Sequence, residues 1–133
     1  MTSLLRSTLF AAIAASFYGT VAYFANNTHG HATALTAAFT QAAASGLVTF
    51  LSVALIETLF NIPNKAVFKY LLSAAGSGVI ILGIFVLFHR VTGTPNLLET
   101  LLPIIVLGTP YISLYPLMLL KKDKNQNIND SLI

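Results

Sequence analysis

A chain of 133 residues that is 56% hydrophobic and only 8% charged stands far from the globular balance of about 25% charged residues, which excludes an ordinary water-soluble domain. The absence of Cys excludes disulfides, thiolate metal sites and cysteine nucleophiles. The net charge of +3 comes from basic residues set at the ends of apolar stretches, a pattern of membrane topology rather than of nucleic-acid binding.

Residues 7–56 hold no Lys, Arg, Asp or Glu. At a rise of about 1.5 Å per residue, roughly 20 residues cross a hydrocarbon core of about 30 Å, so this run crosses twice. The first helix is expected over 4–25. Its start, with Arg6 and Ala12-Ile13-Ala14, imitates a secretory signal, but the apolar stretch continues through Phe17, Tyr18, Val21 and Phe24 and reads as a retained span. Asn26-Asn27-Thr28-His29-Gly30-His31 supplies a polar turn, and the second helix is expected over 32–60, closed by Pro63. The third is expected over 66–88. Thr92-Gly93-Thr94-Pro95 breaks the chain, and the fourth is expected over 97–120, opened by a capping box of Asn96 and Glu99 and stopped by Lys121, Lys122 and Lys124. Residues 123–133 read as a mobile cytoplasmic tail, too poor in apolar residues to fold alone.

The expected fold is therefore an all-α membrane protein, residues 1–122, whose four transmembrane helices form two parallel-repeat hairpins. Shifting the chain by 63 positions lays Gly30 on Gly93 and Ala11 and Ala12 on Ala74 and Ala75. Arg6, Lys65, Lys69, Lys121, Lys122 and Lys124 fall on one side and Arg90 on the other, which predicts cytoplasmic termini. Small residues recur four apart at Ala11, Ala15 and Gly19, at Ala38, Ala42 and Gly46, and at Ala74 and Gly78. These stripes are the expected helix contacts, because helices in lipid associate where backbones approach closely.

Candidate chemistry is sparse. Glu57 is a carboxylate within a span, a costly placement that points to function by default, although Lys65, Lys69 and Arg6 lie within reach of an ion pair. In the fourth helix Pro103, Pro110 and Pro116 interrupt a stretch carrying Thr109, Tyr111, Ser113 and Tyr115. Each interior proline frees a carbonyl one turn earlier, so a polar groove facing Thr40 and Gln41 of the second helix is expected there. The substrate-binding candidates are thus Glu57, Gln41, Thr40, Thr109, Tyr111, Ser113 and Tyr115. His29 and His31, with no third ligand nearby, read as a solvated loop rather than a metal site, and the sequon Asn26-Asn27-Thr28 abuts the membrane. No nucleophile triad, paired carboxylates or phosphate loop is present, so neither catalysis nor a cofactor is expected.

The four-helix layout, the Arg6 entry and the junction from Lys65 to Lys69 resemble the GtrA-like family of small membrane proteins over residues 4–122. That resemblance implies the bacterial inner membrane, a part in surface-glycan assembly, and help in moving polyprenyl-phosphate-linked sugars across the bilayer. It carries over no functional residues, since Ile56-Glu57-Thr58-Leu59-Phe60 and Leu119-Leu120-Lys121-Lys122 depart from the family's aromatic-and-basic helix endings. The leading expectation is a transporter or flippase-like protein for a lipid-linked sugar or other amphipathic substrate, in contact with membrane lipids and acting as a homo-oligomer. The alternative is a non-catalytic accessory or assembly subunit of a larger membrane complex.

Overall fold

The computed structural model describes the backbone of residues 3–130 and the side chains of Leu5 and of residues 8–126. Within these residues the chain is helical almost throughout. Helix α1 spans Ser3–Asn26, α2 His31–Asn61, α3 Ala66–Val91 and α4 Leu97–Asp130. All four are long and apolar enough to cross a membrane, and the protein is an all-α membrane protein. In hydrocarbon every backbone N–H and C=O must find its partner within the chain, which is why stretches rich in Val, Ile and Phe, poor helix formers in water, stay helical here.

A short 3₁₀ turn, Asn27–His29, links α1 to α2, and residues 92–96 link α3 to α4. Both turns pivot on a glycine at positive φ, Gly30 at 96° and Gly93 at 70°, a conformation that a side chain disfavours. The two hairpins thus turn at equivalent positions. They do not pack equivalently. Helix α1 lies along α2 in the most extensive contact of the fold, and the small-residue stripes meet there as expected. A Cβ on Gly19 would stand 3.0 Å from the Ala38 carbonyl oxygen and 3.1 Å from the Ala42 Cβ, while one on Gly46 would stand 3.7 Å from the Ala15 Cβ. Helices α3 and α4 also touch at a glycine, since a Cβ on Gly78 would lie 3.0 Å from Ile112 Cδ1.

Large apolar side chains point outward: Phe24, Phe39 and Val79 are 69%, 72% and 72% exposed. Inside, among the described residues, lie mainly small and polar side chains, with Ile56 and Phe60 of α2 and an apolar cluster of Ala44, Phe85 and Leu101 joining α2, α3 and α4. This reversal of the soluble pattern is expected where the surrounding solvent is lipid.

Three features differ from expectation. Helix α4 does not stop at Lys121 but continues to Asp130. Charge ends the span there but not the helix, because residues 121–130 contain no Pro or Gly. Helix α4 also runs unbroken through Pro103, Pro110 and Pro116. Finally, α3 carries a π-helical turn at Leu72–Gly76. Such a turn leaves carbonyls without their usual partner, and two buried serines serve carbonyls around it: Ser73 Oγ lies 2.6 Å from the Lys69 oxygen, and Ser77 Oγ 3.2 Å from the Ala74 oxygen.

Candidate functional site

Two polar clusters occupy the hairpin end of the bundle. At the C-terminus of α1, Asn26 is fully buried. Its Nδ2 donates to the Ala22 carbonyl at 2.8 Å and to Thr100 Oγ1 at 2.9 Å, and its Oδ1 accepts the Asn96 N–H at 3.0 Å. Asn96 answers with Nδ2 donating to the Ala25 carbonyl at 2.7 Å, and Thr100 Oγ1 donates to the Asn96 carbonyl at 2.7 Å. These bonds tie the end of α1 to the start of α4. The capping box expected from Asn96 and Glu99 is replaced by this tie, because the Asn96 amide is spent on the neighbouring hairpin and its Oδ1 accepts from His29 Nε2 at 3.3 Å. The sequon at Asn26 is closed for the same reason: the amide that would carry a glycan is buried and bonded.

The second cluster centres on His89, 1% exposed in the last turn of α3. Its Nε2 donates to Gln41 Oε1, and Gln41 Nε2 donates to Ser45 Oγ at 3.3 Å. With Nε2 carrying the proton, Nδ1 of the neutral ring accepts from the Thr94 hydroxyl, 2.7 Å away. A doubly protonated ring would donate to the same two neighbours, since the Thr94 oxygen also accepts. Gln41 and Ser45 are themselves fully or almost fully buried.

Along α2, Gln41, Ser45 and Ser52 fall at i, i+4 and i+11, one face of a helix of 3.6 residues per turn. Ser52 is buried, and its hydroxyl lies 3.5 Å from the Tyr111 hydroxyl of α4, at the outer limit of a hydrogen bond. Tyr111 stacks on Tyr115, with centroids 5.9 Å apart and ring planes 19° from parallel, and Tyr115 donates to Glu57 Oε1 at 2.7 Å. Polar side chains therefore line a seam between α2, α3 and α4, from Thr94 and His89 at the hairpin end to Glu57 at the end that carries the termini.

The candidates fall on this seam unevenly. Glu57, Tyr111, Tyr115 and Gln41 belong to it, and Thr40 is buried beside Gln41. The groove facing Gln41 and Thr40 from Thr109 and Ser113 does not form. Helices α2 and α4 both start at the hairpin end, and their contacts join residues 59 and 58 apart in sequence, a register that sets Gln41 level with Thr100. Thr109 is exposed and bonds back to the Ile105 carbonyl, while Ser113 is half-buried. Nor does Glu57 pair with Lys69. The extension of α4 brings Asp123 to Lys69 at 2.7 Å, and the Lys69 ammonium lies 5.0 Å from the centroid of the Phe60 ring; the Arg6 side chain lies outside the described residues.

His89 is the principal residue that sequence reasoning passed over, lying just past the expected end of the third helix at residue 88. The spacing of Gln41, Ser45 and Ser52 was the available signal for an inward polar face. His29 and His31 do not converge, since His31 Nδ1 is bonded to the Tyr23 hydroxyl at 2.9 Å, and among the described residues no three His, Asp or Glu side chains come together as metal ligands. No family model, curated protein or solved structure matches the chain.

Proposed function

We propose that the chain is a small transporter or flippase-like protein, in which the polar part of an amphipathic substrate passes along the seam between α2, α3 and α4 while its apolar part stays in lipid. A lipid-linked sugar is one such substrate. The observation that carries this reading is the buried chain of His89, Gln41 and Ser45, continued through Ser52 and Tyr111 to Glu57. Polar groups at membrane depth are costly and mark substrate and proton paths, and helix contacts alone are already served by the glycines of α1, α2 and α3. The bundle is thin, so two copies side by side would enclose the seam better than one. The distribution of Lys and Arg favours cytoplasmic termini, and the bacterial inner membrane is what the resemblance to the GtrA-like family implies. Reporters inserted at Gly93 and fused after Ile133 should then read opposite sides, and a reading on the same side would overturn the orientation.

The transport test uses vesicles reconstituted with the purified protein and a phospholipid fluorescent on its acyl chain, followed by dithionite quenching of the outer leaflet. The protein should accelerate loss of the protected inner-leaflet signal. Gln41→Leu should slow it about tenfold, equivalent to about 1.4 kcal/mol on the barrier. No acceleration over protein-free vesicles, or an unaffected Gln41→Leu, would sink the transport reading. The accessory-subunit reading draws on a different observation: α1 meets the bundle chiefly through α2 and exposes Phe10, Ile13 and Phe17 to the surroundings, a ridge fit for an apolar helix of a larger complex.

A further inference from the structure

We infer that Glu57, Tyr111 and Tyr115 form a binding site for an organic ammonium group borne by an amphipathic molecule. The inference rests on the transport reading above and narrows its substrate class.

Glu57 lies four residues before the end of α2 at Asn61, a depth of about 6 Å from the helix end at 1.5 Å per residue, where headgroups meet hydrocarbon. Its carboxylate is exposed, and one oxygen is held by the Tyr115 hydroxyl at 2.7 Å. A carboxylate at this depth calls for a counter-charge. Among the described residues the candidates are spent or set apart: Lys69 is held by Asp123, Lys65 is exposed beyond Pro63, and Lys121 and Lys122 stand six and seven residues past Tyr115 on α4. That is about 9–10.5 Å along the helix, longer than the Debye length of about 8 Å at physiological salt. Beside the carboxylate stand two tyrosine rings stacked at 5.9 Å, of which Tyr111 is 41% exposed. An aromatic face next to a fixed anion is the chemistry that receives alkylammonium groups, because the ring quadrupole attracts a weakly hydrated cation. The exposed neighbours Val53, Leu114 and Met118 give the ligand's chain an apolar surface. Two kinds of molecule carry such a group: a zwitterionic phospholipid and an amphipathic cation.

The test titrates decyltrimethylammonium into the full-length protein in dodecyl maltoside micelles, which are uncharged and free of amines, with the bound fraction read by calorimetry. Wild type should bind saturably, Glu57→Gln at least about tenfold more weakly, a loss of about 1.4 kcal/mol, and Tyr111→Leu severalfold more weakly. Tyr111→Leu keeps the test open if Glu57→Gln does not fold. Phosphatidylethanolamine added to the micelles should compete if the natural ligand is a lipid headgroup and leave binding unchanged if it is an amphipathic cation; either result supports the site. No saturable binding, or equal binding by wild type and both variants, overturns it. Binding without lipid translocation in vesicles would sink the transport reading and leave the site standing, whereas translocation without ammonium binding would remove the site alone.

Discussion

A protein carrying Ala15→Cys and Gly46→Cys should form an intramolecular disulfide almost completely under mild oxidation. A Cβ on Gly46 lies 3.7 Å from the Ala15 Cβ, inside the range of about 3.5–4.5 Å that a disulfide requires, and the chain has no other cysteine to compete. The informative experiment adds Gly19→Leu. One turn along α1 from Ala15, its Cβ would have to share space with the Ala38 carbonyl oxygen at 3.0 Å. That neighbour is backbone and cannot swing away. Overpacking of this kind costs about 1–3 kcal/mol, so the helices should part and the rate of disulfide formation should fall about tenfold or more. Unchanged oxidation in the triple variant, measured by mass, would mean that α1 and α2 do not approach along this stripe.

Replacing Asn26 with Ala should cost about 2 kcal/mol, the sum of three bonds at the modest value of roughly 0.6 kcal/mol each that hydrogen bonds reach between membrane helices. The reason is the double role of its amide, which donates to α1's own Ala22 carbonyl and to Thr100 while accepting from the Asn96 backbone. Removal also leaves the half-buried Asn96 N–H without its protein acceptor, which adds to the loss. Thermal unfolding in detergent should therefore begin several degrees lower for Asn26→Ala, while Asn27→Ala, at an exposed position one residue on, should leave it unchanged. Equal behaviour of the two variants would show that the tie between α1 and α4 contributes nothing. A cycle with Thr100→Val isolates the shared part, since neighbours in one network do not add independently.

The spans were legible because hydrocarbon imposes a simple demand on length and polarity, and the glycine turns and small-residue stripes were legible because both follow from the lack of a side chain. The seam was less so. Tyr111 and Tyr115 share a face by spacing alone, but their partners Ser52 and Glu57 depend on the parallel course of α2 and α4 and on its register, which no local pattern carries. The groove opposite Gln41 failed on that register. The pairing of Glu57 with Lys69 was displaced because Asp123, expected in a mobile tail, sits on a helical continuation of α4 and takes Lys69. His89 went unnoticed because a histidine at a helix end usually faces water, and it is Gln41, arriving from another helix, that together with Thr94 makes its burial tolerable.

The π-helical turn at Leu72–Gly76 has a bearing on the length of the chain itself. A π turn is an α-helix that holds one residue more than its axial rise needs. Take one residue out of this segment and the two flanking parts of α3 can join as a continuous α-helix, with Lys69 still facing Asp123 and His89 still facing Gln41. Take one out anywhere else in α3 and every side chain on one flank turns by about 100° around the axis. The turn is thus the one place in α3 where a single-residue deletion leaves both the ion pair at one end and the histidine cluster at the other in phase.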